Sequence, residues 1–493
     1  MNHPPTTRDT KAQKRQGEQS ISHAKTQRRK EKATNPYKNP FYLFFLSLLN
    51  SFFASLRLCV SFSLLGVLCV LCVSGTLPAS AELRAGAAKV DITPDVKASK
   101  IPLGGYEARL AAPATGVHDP IYARALVLEV GGNVKVGIVS VELCFLPANI
   151  KAGVVHKLEA AGLNALAKHL MISATHTHTA PDPLAMHVGN TFQFKGWTSY
   201  DTKLTEFMED KIAEAVIQAD KRLLPAKIGS GTLELPGKNR NRRNEKTVDS
   251  TMTLLKVTDA EGRNLAAVVN FAAHPTLYND KMMEISADWP GVMSGKLEKA
   301  MGGDAVCLFL NGAEGDATTS GAMGATADER VAFYGNMLAD AAWDVLRIMG
   351  TQNDASMLWT SVEVTLPPRK MTGLFAAGAT SIGATLEQGK QVLNGLMPEK
   401  TEIEFLWVGG VLFMGFPCEP TGDIGMAAKE AARKAGFDKP AVVALTNDWI
   451  AYALTPEQYH AGNYEAGMSL YGDQLGPTLL KAFTDKLPTL LKL

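Results

Sequence analysis

A chain of 493 residues, 46% of them hydrophobic, is longer than a minimal domain and carries ample apolar surface for one large catalytic core. The formal charge of +1 hides an uneven distribution: residues 1–81 hold eleven Lys and Arg against three acids, so the remainder carries about −7. The basic excess belongs to the front of the chain, and nothing in the balance points to nucleic acid as a partner.

That front reads as a leader. Arg28, Arg29, Lys30 and Lys32 precede an apolar stretch from Phe41 to Leu77, interrupted by Arg57. Leu58–Val73 is an adequate apolar segment, and Ala79-Ser80-Ala81 is a small-residue cleavage motif. The expectation is an export signal cut after Ala81, which sends one domain of residues 82–493 to the periplasm or the extracellular space. An uncleaved membrane anchor is the rival reading, and a third places residues 1–50 outside the natural translation product. No later hydrophobic run is long enough to span a bilayer.

From Glu82 onward short apolar runs end in polar or ionisable residues. Val136–Val141 runs into Glu142, and Leu170–Ala174 into His176 and His178. Ala266–Ala273 ends at His274, and Val306–Leu310 leads to Glu314 and Asp316. Val411–Phe416 ends at Glu419, and Ala441–Leu445 leads through Asn447 to Tyr452. Between them lie helical periods: Leu204, Phe207, Met208, Ile212, Ala215, Val216 and Ala219, then Val331, Tyr334, Leu338, Ala341, Ala342 and Val345. The pattern predicts an α/β fold, mixed β-sheets flanked by helices, with a site beyond the strand ends.

Along a strand, residues i and i+2 share a face, so His176 and His178 are expected to aim at one point. With His274 and the Glu419 carboxylate they offer the donors of a two-His, one-Glu zinc site that keeps a position open for water. Singly, each residue also reads as an ordinary polar group: a strand-end marker, a hydrogen-bonded His, a loop carboxylate. Cys144, Cys307 and Cys418 are too widely spaced for a disulfide framework and read as buried thiols. Phe192, Phe194, Trp197 and Tyr200 either line a wall for an acyl chain or pack an insertion.

Several blocks then fall in a familiar order. Ala88-Lys89-Val90-Asp91-Ile92-Thr93-Pro94, Gly104-Gly105-Tyr106, Thr115-Gly116-Val117-His118-Asp119-Pro120 and Ala123-Arg124-Ala125 come first. Thr175-His176-Thr177-His178, Phe271-Ala272-Ala273-His274-Pro275-Thr276, Thr455-Pro456-Glu457-Gln458-Tyr459 and Asn463-Tyr464-Glu465-Ala466-Gly467 follow. Over nearly all of Ala85–Leu493 the chain resembles the catalytic domain of the neutral/alkaline (non-lysosomal) ceramidases. The resemblance implies Zn2+ held by His176, His274, Glu419 and Tyr452, with His178, Tyr464 and Arg242 handling the reacting carbonyl and the proton. Arg240 is the alternative match for that arginine. It implies hydrolysis of an N-acyl amide bond, in ceramide or a related small-molecule or lipid substrate, by metal-activated water. Peripheral membrane contact and oligomeric state are left open by the sequence.

The chain also departs from that family. Gly315-Asp316-Ala317-Thr318-Thr319 stands where the family carries Gly-Asp-Val-Ser-Pro, so Thr318 is the candidate for the serine's hydroxyl role. Ala180-Pro181-Asp182-Pro183 replaces a glycine-rich turn, and Pro417-Cys418-Glu419-Pro420 is looser than the family's glutamate block. The chain stops soon after Tyr464-Glu465, so the family's C-terminal β-sandwich domain is expected to be missing. A zinc hydrolase for another amide or ester, or a metal-containing binding protein without turnover, are the competing expectations.

Overall fold

The computed structural model describes residues 82–491 apart from Asn133 and Ala355. The leader, its Leu58–Val73 segment and the motif ending at Ala81 lie outside the described residues. No helix among the described residues is long and apolar enough to cross a membrane.

An eight-stranded mixed sheet runs in the order Val306–Asn311, Asn264–Phe271, Thr251–Asp259, Leu224–Glu234, Leu83–Asp91, Tyr122–Val130, Val134–Val141 and Leu170–Ala174. Its two terminal pairs are parallel and the pairs between them antiparallel. Every residue of the two edge strands is buried, which accounts for their largely apolar sequence, without the alternation of a half-exposed strand. The sheet curls until these edges meet: Ser140 Oγ donates to Phe309 O at 2.6 Å, and Asn311 Nδ2 to Thr175 O at 3.2 Å.

A second sheet contains Met357–Thr365, Lys400–Val408, Val411–Gly415 and Lys439–Val443, the last two parallel. Leu406, Phe413 and Val443 on its face pack against Leu126, Leu128 and Leu310 of the larger sheet in one apolar cluster. Helices cover the outer faces: Ala148–Ala160 and Thr202–Lys221 over one half of the large sheet, Asp288–Met301 and Ala327–Leu346 over the other. Gly422–Lys434 and Leu475–Leu490 cover the small sheet. The architecture is α/β, with mixed sheets between helices.

The helices start where side chains satisfy their free N–H groups. Asp201 accepts from Lys203 N and Leu204 N, and Thr326 with Glu329 forms a reciprocal capping box. The buried face of Ala327–Leu346 is rotated from the expected one: Gly335, Ala339 and Leu346 are buried, while Ala341 and Val345 are only half-buried. The cause is a close helix crossing, because a Cβ on Gly335 would lie 2.7 Å from Trp289 O. Small residues turn toward the partner helix there.

The small sheet reaches the curled edges of the large one through the segment after Val443. Ala444 N donates to Asn311 O, and Asn447 N to Ile172 O. The C-terminal ends of Leu170–Ala174, Asn264–Phe271 and Val411–Gly415 therefore open onto one place.

Candidate active site

His176 lies two residues beyond its strand, with Thr175 N bonded to Val141 O and His176 N to Leu143 O, both at 2.9 Å. Its φ of +75° is left-handed, a region a non-glycine residue seldom occupies. Strand alternation therefore does not aim the two imidazoles. A left-handed turn does, and it brings the rings of His176 and His178 to 4.7 Å between centroids.

Three imidazoles share one tautomer, because a backbone carbonyl can only accept. His176 Nδ1 donates to Cys144 O at 2.6 Å, His274 Nδ1 to Glu314 O at 2.8 Å, and His178 Nδ1 to Gly105 O at 3.0 Å. With Nδ1 so committed, the Nε2 of each ring faces the others and is the atom left to carry a proton or bind a cation. His176 Nε2 lies 3.3 Å from His178 Nε2 and 3.2 Å from Glu419 Oε2, and His274 Nε2 lies 3.3 Å from the same oxygen. His274 Nε2 and Glu419 Oε2 have no hydrogen-bond partner, though both are buried. Lone pairs gathered this closely out of water repel unless a proton or cation lies among them. His176, His274 and Glu419 form a three-donor group within 4.8 Å, which fits a divalent ion. Cys144, His176 and His178 form a second such group.

The charges follow the same logic. Burial opposes protonation of His176, but the Glu419 carboxylate overrides it and holds the imidazole well above its usual range. Burial would raise Glu419, but His176 pulls it well below the usual carboxylate range. His274 is pushed down to about 4 by burial, then by Arg242 and His176. His178 is also lowered, by burial and then His176, and so stays neutral.

Tyr452 pairs with Glu419 in a short parallel bridge, and its hydroxyl accepts from Arg242 Nη2 at 3.2 Å. Arg242 is fixed by Glu465 Oε1 at 2.7 Å and Gly315 O at 2.8 Å, and its guanidinium lies near the rings of Tyr452 and Tyr464. Arg240 is exposed on the neighbouring Asn239–Asn241 strand. A cavity of about 240 Å³ opens beside these groups, lined at its polar end by His176, His178, Glu419, Tyr452 and Tyr464. Its other walls are apolar and include Phe194, Trp197, Phe375, Val392 and Leu396. Phe192 and Tyr200 do not line it. Arg242 and His274 stand behind the wall.

Thr318 is not brought into the wall. Its backbone bridges His274 and pairs with Arg240, but its side chain is absent from the cavity lining. Other residues were not legible as site residues. Trp449 donates from Nε1 to Glu419 Oε1 at 2.9 Å while stacking on Phe145 at 4.2 Å. Buried Arg109 donates to Gly104 O and His178 O, both at 2.6 Å, tying the glycine loop to the histidine turn. Glu465 bonds both Arg242 and Arg243. Glu465 sits in a recognisable block, whereas an arginine or tryptophan in a loop gives no such signal. Asp182, in the chain's own replacement turn, lines the cavity and accepts from Leu184 N and Thr198 Oγ1.

Residues 83–336 match the family described as neutral/alkaline non-lysosomal ceramidase, N-terminal. The chain is 26% identical over 522 aligned positions to a neutral ceramidase of Drosophila pseudoobscura pseudoobscura, covering 80% of this chain and 72% of that one. It is 23% identical over 508 positions to a neutral ceramidase of Pseudomonas aeruginosa, covering 86% and 75%. The crystal structure of a neutral ceramidase from Pseudomonas aeruginosa matches with a TM-score of 0.72 at 20% identity, over 84% of this chain and 75% of that chain. A structure described as ceramidase complexed with C2 gives 0.71. These superpositions establish a shared fold.

Proposed function

The chain belongs to the neutral/alkaline non-lysosomal ceramidase family and is an amide hydrolase, and from that premise we propose that it uses zinc to cleave the N-acyl bond of ceramide or a related lipid amide. The observation that carries the proposal is the converging trio of His176, His274 and Glu419 beside the polar end of an apolar cavity, with His274 Nε2 and Glu419 Oε2 buried and unpartnered. Tyr452 is the fourth ligand in this reading. The leader supports export to the periplasm or the extracellular space.

When bound, zinc supplies a Lewis acid that polarises the amide carbonyl and acidifies water. His178 accepts the proton released as water oxygen attacks the carbonyl carbon, because its Nδ1 is committed to Gly105 O and only Nε2 is free. It then passes that proton to the departing nitrogen as the C–N bond breaks. Tyr464, with its exposed edge at the cavity, is placed to donate to the oxyanion. Arg242 acts one layer back, holding the Tyr452 hydroxyl. The apolar walls exclude water and take the acyl chain. Thr318 serves the backbone that seats His274 rather than the reacting atoms.

The deciding experiment is turnover of a fluorogenic N-acylsphingosine by the purified protein, with bound metal measured in parallel. Chelation should abolish turnover and zinc should restore it, while Glu419→Gln and His274→Ala should remove both metal and activity. Chelator-resistant turnover, or full zinc occupancy in both variants, would overturn the assignment. Hydrolysis of other amides but never of N-acylsphingosine would move the substrate, not the chemistry.

A further inference from the structure

Part of the cavity's outer wall comes from a segment that supplies no group to the reacting carbonyl, and which lies outside the residues matched to the family. Between Lys370 and Glu387 the chain carries no charged residue, and its helix Gly373–Ser381 has no buried position. Leu374, Phe375 and Ala379 on one side, with Ile382 just beyond, line the cavity. Ala377 and Thr380 are exposed and do not. Phe375 also rests on the core of the small sheet, but core packing does not explain why the solvent-facing side of this helix carries no charge.

The rim continues on two other segments. Leu110, Leu374 and Tyr464 are 59%, 40% and 50% exposed, yet all three line the same cavity. A Cβ on Gly196 would lie 3.4 Å from Leu110 and 3.9 Å from Ile382, and one on Gly467 would lie 2.7 Å from Leu374. The exposed apolar residues are therefore continuous with the cavity mouth. Apolar exposure gathered at one opening marks a surface that is covered in use.

We propose that this rim, the helix Gly373–Ser381 with Leu110 and the edge of Tyr464, seats on a zwitterionic lipid surface, so that an N-acyl lipid passes into the cavity without crossing water. The inference rests on the lipid-amide reading above. A protein seated on the rim would close the mouth through which substrate enters, whereas a bilayer supplies the substrate there. With no cation between Lys370 and Glu387, and about −7 on the chain beyond the leader, attraction to anionic headgroups is not the driving force. Apolar insertion of the rim is.

The test is sedimentation of the protein, expressed from the full chain, with phosphatidylcholine vesicles, comparing it with the Ala377→Asp/Thr380→Asp double variant. Both substitutions lie on the outward helix face, and an unchanged melting temperature checks the fold. The vesicle-bound fraction should fall at least about tenfold, with turnover of a vesicle-embedded long-chain amide falling in step. Turnover of a water-soluble short-chain amide should stay within about twofold. Equal pelleting of variant and unsubstituted protein would overturn the proposal, as would unsubstituted protein that pellets only with phosphatidylserine vesicles or with none. Loss of pelleting in the variant, in a protein that hydrolyses no N-acyl amide, would sustain the docking surface and refute the hydrolase reading instead.

Discussion

His176 Nε2 stands 3.2 Å from Glu419 Oε2, although one residue follows an edge strand of the eight-stranded sheet and the other follows a strand of the four-stranded sheet. The contact exists only when the two sheets are docked. Metal capture by these donors would therefore report on tertiary assembly, and a bound ion would in turn stabilise the docked sheets by favouring the folded chain.

Trp449 holds that carboxylate from behind. Trp449→Phe keeps an aromatic face for Phe145 but removes the indole N–H that bonds Glu419 Oε1. Metal affinity should weaken by about 10–100-fold, as for other residues that orient a ligand. Competition with a chromogenic chelator measures it, and an unchanged dissociation constant would mean that Glu419 needs no support from the indole.

Arg242 gives a different signature. Arg242→Ala should lower kcat by about 10–100-fold while the His–Glu trio still holds metal at a weakened affinity, since Arg242 supports the Tyr452 hydroxyl and none of the other three ligands. Arg242→Lys should rescue poorly. An ammonium cannot present the planar fork that now reaches Glu465, Gly315 O and Tyr452 together. Full recovery with lysine would show that only the charge matters.

Gly105 is required by the His178 ring. Its φ is +88°, and an added Cβ would fall 2.5 Å from His178 Cγ. Gly105→Ala should destabilise the fold by about 1–3 kcal/mol and, by displacing the imidazole, reduce kcat about 10²-fold. Urea denaturation and steady-state kinetics separate the two effects. A variant with normal kcat would remove His178 from the proton path.

A pH effect is expected away from the site. Glu404 is buried, and burial pushes its carboxyl up to about 7 even though Lys151 Nζ lies 2.7 Å away. Its folded value exceeds its unfolded one, so its contribution is full below about pH 4.5 and is lost as pH rises through about 7. Glu404→Gln should flatten the stability decline between those limits, by no more than about 3 kcal/mol. Parallel urea curves at pH 5 and 7.5 with the same slope of stability in both proteins would count against it.

The sequence by itself determined where the buried strands lie and which donor types end them. A short, mainly apolar run such as Leu170–Ala174 or Val306–Leu310 is a local signal, complete within a few residues. The ordered blocks around His176, His274 and Tyr464 also made the family legible. Tertiary structure alone decided the rest. The left-handed turn at His176, the carbonyls that fix three imidazole tautomers, the support from Trp449, Arg109 and Glu465, and the seclusion of Thr318 all depend on segments far apart in the chain. Periodicity is written along a chain, whereas a hydrogen bond between two distant loops comes into being only when the sheets that carry them have packed.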